Sequence, residues 1–71
     1  MNIKKENEKT IIEDEQFEIH IFKKVFKGYI LKKFLKGSFF DLIEQREINV
    51  ELTEDQLLQT AQDMLKPLYS L

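Results

Sequence analysis

Between residues 17 and 35 the chain reads FEIHIFKKVFKGYILKKFL, with apolar clusters at Ile21/Phe22, Val25/Phe26, Tyr29/Ile30/Leu31 and Phe34/Leu35. The clusters recur about every four residues, which is nearer the helical period than the strand period of two. At about 100° per residue, Ile19, Phe22, Val25, Phe26, Tyr29 and Ile30 share one side of a helix, and His20, Lys23, Lys24 and Lys27 share the other. The pattern predicts one long basic amphipathic helix. A shorter stretch competes with it: in QFEIHIF, Phe17, Ile19 and Ile21 alternate with Glu18 and His20, and the residue types are good strand formers. Alternation fails at Ile21/Phe22 while the clustering continues to Leu35, which favours helix. Gly28 is the weak point, since glycine costs about 1 kcal/mol in a helix interior and is equally suited to turning a hairpin.

The flanks supply further start and stop signals. Thr10, Ile11 and Ile12 followed by Glu13, Asp14 and Glu15 read as a helix start near residue 10 or 14, because acids favour the positive end of the helix dipole. Gly37 and Ser38 read as a stop followed by a cap, and a short second helix over 39 to about 46 would bury Phe39 or Phe40 with Leu42 and Ile43. Residues 47–52 alternate Ile48, Val50 and Leu52 as an extended connection or brief strand. Thr53-Glu-Asp-Gln56 is a capping box, so a helix starts there, with Leu57, Ala61, Met64, Leu65 and Leu68 along one face and an end near Lys66, before Pro67.

The expected fold is therefore all-α: a small three-helix domain over 10–71, preceded by a flexible N-terminus over 1–9. The alternative is α+β, with a hairpin over 17–34 covered by the C-terminal helix.

Seventy-one residues allow one domain, and a chain of that size withdraws only ~60 to 65% of its unfolded surface from water. Cysteine is absent, so disulfides and thiolate metal sites are excluded and association is the reinforcement left to a small core. Apolar runs reach three residues at most, far short of the ~20 needed to span a bilayer, and a cytoplasmic location is expected.

The net charge of −2 conceals a division along the chain. Residues 1–18 carry −3, residues 19–40 carry six lysines and no acid, and residues 41–71 carry −5. A basic segment between acidic ends is either neutralised within the fold or offered to a partner.

Candidate chemistry is sparse. His20 is the only histidine and stands in no metal-ligand spacing, which suits a surface or boundary position. Ser38 and Ser70 have no base to activate them, the acid clusters at 13–15 and 54–55 fall at expected helix starts, and Gly28 and Gly37 are the only glycines, too few for a phosphate loop. No enzyme activity, cofactor or metal is expected. Residues 52–65 are similar in layout to the second helix of the small two-helix aspartyl-phosphate phosphatases of sporulation phosphorelays. Ala61-Gln-Asp-Met-Leu65 stands where that family carries Ser-Gln-Glu-Leu-Asp, so no activity carries over.

Six Phe and two Tyr exceed what a small core readily buries. The surplus predicts an apolar seam of Leu31, Phe34, Leu35, Phe39 and Phe40 for a protein partner or a second copy, flanked by a charge patch of Lys23, Lys24, Lys27, Lys32, Lys33 and Lys36. The expected function is a small non-enzymatic protein-interaction module, a regulator or accessory subunit. The alternative is a nucleic-acid-binding regulator using lysines 23–36. Binding at a membrane surface is disfavoured by the acidic flanks.

Overall fold

The 17–35 stretch folds back on itself as a hairpin. In the computed structural model, which describes residues 2–37 and 41–65, the elements are β1 (Asn2–Lys5), β2 (Lys9–Glu13), β3 (Phe17–Lys23), β4 (Tyr29–Leu35), β5 (Asp41–Ile48) and α1 (Glu54–Leu65). The strands form one antiparallel meander in the order β1-β2-β3-β4-β5, and α1 follows it. The three-helix arrangement is overturned: the chain is α+β, and among the described residues α1 is its one helix. Asn2–Lys5, within the segment expected to be flexible, pairs along β2, and most of the segment expected to be a second helix is β5. Ser38, Phe39, Phe40 and the stretch from Lys66 onward lie outside the described residues.

The long helix fails because β3 and β4 are apolar on both faces. Ile19, Ile21, Tyr29 and Leu31 are buried against α1, whereas Phe22, Ile30 and Phe34 alternate with them and project from the opposite face. Two apolar faces abolish the alternation of period two and leave doublets such as Ile21/Phe22 and Ile30/Leu31. The remaining doublet, Val25/Phe26, is the hairpin tip, 95% and 88% exposed instead of lining a helix stripe.

Local turns set the register. The Asp14 carboxylate accepts from the backbone N–H groups of Gln16 and Phe17, both at 2.8 Å, an Asx turn where a helix start was expected. The Lys24 N–H donates to the Gly28 carbonyl at 3.0 Å, and Gly28 takes φ 110°, a left-handed conformation that glycine adopts at no steric cost. Before α1 the capping box forms reciprocally: Gln56 N–H donates to Thr53 Oγ1 at 3.2 Å, and Thr53 N–H donates to Gln56 Oε1 at 2.9 Å.

The core lies between one face of the sheet and α1. Ile12, Ile19, Ile21, Tyr29 and Leu31 meet Ala61 and Met64, with Ile48, Leu52, Leu57, Leu58 and Leu65 packed at the margin. Full burial of each large side chain stabilises by about 1.5–3 kcal/mol. The Tyr29 hydroxyl stays satisfied by donating to the Leu52 carbonyl at 3.1 Å.

Candidate functional site

Because strand residues alternate between faces, the side chains that alternate with those on the helix side project from the other side of the sheet, over which no described helix or strand lies. Cross-strand pairing arranges it in three rows. One runs Lys4, Ile11, His20, Lys32, Gln45; on one side of it lie Lys9, Phe22, Ile30, Glu47, and on the other Asn2, Glu13, Glu18, Phe34, Leu42. The middle of this open face is aromatic. The His20 ring lies 4.7 Å from the Phe34 centroid and 6.3 Å from that of Phe22, both tilted, as quadrupoles prefer. Glu18 fixes the His20 ring through a 2.9 Å contact to Nε2.

Cations gather around Phe22: Lys9 Nζ lies 5.8 Å and Lys32 Nζ 5.5 Å from its ring centroid. Elsewhere on this face charges are matched. Glu13 meets Lys36 at 2.9 Å and Lys4 at 3.5 Å, and Lys24 pairs with Glu47. The Lys36 hydrogen bond, helped by the charges of Lys36 and Lys4 and opposed by burial, holds the Glu13 carboxyl below the usual carboxylate range.

The lysines read from the sequence as one patch are dispersed. Lys23 reaches the Glu51 carboxylate at 2.5 Å and lies over the Tyr29 ring on the helix side, where Glu51 raises its pKa and is itself lowered by it. Lys33 is buried under the end of α1, Lys27 sits at the exposed hairpin tip, and Lys32 alone of the six flanks the aromatic cluster. The seam residues also separate. Leu31 is in the core, Leu35 is 41% exposed on the helix side, Phe34 is on the open face, and Phe39 and Phe40 lie outside the described residues.

His20, Phe22 and Lys9 are the members of the open face that sequence reasoning left out. The alternation of QFEIHIF places Glu18, His20 and Phe22 on one face of a strand, whereas Lys9 joins them only through its pairing with Phe22. Among the described residues, no group of three His, Asp or Glu side chains is placed to hold a metal ion, and no helix is long and apolar enough to cross a membrane. The chain matches no family model, no curated protein and no solved structure.

Proposed function

We propose that the protein is a small non-enzymatic interaction module that docks on a protein partner through the face of its sheet opposite α1. Phe22 and Phe34 serve as apolar anchors, and Lys9 and Lys32 select a surface whose apolar centre is edged by carboxylates. The observation that carries this reading is the aromatic cluster of Phe22, His20 and Phe34 on adjacent inner strands, with no described helix or strand packed over it. Aromatic side chains at the centre of a patch, with charge around them, supply most of the energy and much of the encounter rate of protein interfaces.

A second reading draws on the two lysines beside Phe22, since a stacking ring between cations also suits a single-stranded nucleic acid. Magnitudes favour protein. Two neutralised phosphates give a salt slope of only about −1.4, and a chain of net charge −2 opposes a polyanion over the rest of its surface. The test compares native chain with F22S/F34S as baits in nuclease-treated lysate, with circular dichroism as the check on folding. The expected result is a protein retained by the native chain and lost by the double variant. Equal retention by both overturns the proposal, and recovery of nucleic acid alone, without nuclease, transfers the face to the second reading.

A further inference from the structure

The two edges of the sheet are treated differently by the sequence. β1 is short, four residues, and carries Lys4 and Lys5, both well exposed, a combination that discourages another strand from adding to it. β5 is eight residues long, contains neither Lys nor Pro, and leaves Leu42 and Ile43 51% and 52% exposed. Among the described residues β5 pairs with β4 alone, so its outer row of backbone groups has no strand partner. The helix does not shield that edge, because α1 packs over β3, two strands inward.

We propose that β5 is a self-association edge, to which a second copy adds its own β5 antiparallel, with Glu44 of each copy opposite Arg46 of the other. Charge favours a second copy as the occupant and, for centres from Glu44 to Glu47, selects the register. Glu44, Arg46 and Ile48 pair with Lys33, Leu31 and Tyr29 on the helix side, and Gln45 and Glu47 pair with Lys32 and Ile30 on the open side. A twofold axis perpendicular to the sheet sets side chains of the same face opposite one another, so it passes through a residue. Centred on Glu44, Arg46 or Glu47, the pairing opposes a charge to itself. Centred on Gln45, it makes two opposite-charge pairs from Glu44 and Arg46, which in the single chain satisfy each other at 2.7 Å. The bulge between Lys33 and Phe34 lies at one end of β5 and leaves Glu44 to Ile48 in regular pairing with β4. Both helices then lie on one side of the joined sheet and both open faces on the other, so the interface does not consume Phe22 or Phe34.

The test is the mass of the full chain by sedimentation over a concentration series, read against a monomer of 8.6 kDa. The native chain is expected to reach twice that mass. R46E and E44R each replace two attractive pairs by repulsive ones and raise the dissociation constant about tenfold or more. The double variant E44R/R46E restores the native value, and mixing the two single variants gives a mixed dimer tighter than either alone. Circular dichroism shows whether each variant is folded. A native chain that stays monomeric, or a dimer that neither single variant weakens, overturns the proposal. So does a double variant that fails to recover. Bait recovery through Phe22 and Phe34 is a separate readout, so failure of one proposal leaves the other standing.

Discussion

The Lys33 ammonium donates to the Met64 carbonyl at 2.5 Å, joining the middle of β4 to the last turn of α1. That carbonyl lies in the last turn of α1 as described, where a cation meets the negative end of the helix dipole. The same ammonium lies 4.3 Å from the Phe17 ring centroid. A lysine 7% exposed therefore occupies a core position between Leu31 and Leu35 on the helix face of the sheet.

Lys33→Ala is expected to destabilise the fold by about 2 kcal/mol, the scale of a charge-assisted hydrogen bond lost with its packing. Lys33→Met keeps the stem and removes the buried charge, so its cost is smaller. Urea denaturation midpoints order the three proteins as native, Met, Ala; equal midpoints for native and Ala contradict the helix-end role.

Gly28 is held by the approach of β5. A Cβ added to it would lie 1.9 Å from the Ile48 carbonyl oxygen, at a φ of +110° that L side chains rarely adopt. Gly28→Ala is expected to cost roughly 2 kcal/mol or more, from strain and displaced backbone together. The check is thermal denaturation, in which the variant melts well below the native chain.

Val25 and Phe26 are the reverse case. Solvent already reaches almost all of both side chains, so V25T/F26S is expected to shift stability by no more than about 0.5 kcal/mol. A large loss on chemical denaturation means that the pair is packed, as it would be on a helix stripe.

Acid weakens the fold through Glu13. Its folded carboxyl is depressed, by the Lys36 hydrogen bond first and then by the charges of Lys36 and Lys4. The stabilisation is therefore complete above the carboxyl's unfolded value and is lost as pH falls through the lower, folded value. Glu51, lowered by Lys23, loses its share in the same window. Melting temperature should fall on acidification below the ordinary carboxylate range, with a shallower fall for Glu13→Gln; parallel profiles for the two proteins contradict the assignment.

The open face was partly legible in the sequence. Phe34 and Lys32 are recognisable there as surplus apolar surface and unpaired charge, but their neighbours on the face, Phe22, His20 and Lys9, come from strands two and three of the meander. A helical wheel places Phe22 with Ile19, whereas the pleat of β3 sends them to opposite faces. Lys33 misled in the other direction, since a lysine in a run of apolar residues reads as solvated surface until a helix end is found above it.

The sequence by itself determined the start of α1 and its buried face. Thr53 and Gln56 satisfy each other within one turn, and Ala61 and Met64 follow the helical period from that start. Such signals need only neighbours a few residues apart. Only the tertiary structure decided between a helix and a hairpin over 17–35. Doublets such as Ile21/Phe22 and Ile30/Leu31 supply apolar surface without saying whether it lies on one side or two. The choice rests on pairings such as Ile12 with Ile19 and Ile19 with Lys33, and on α1 arriving to cover one face. Burial against distant partners outweighs the local preference of any single segment.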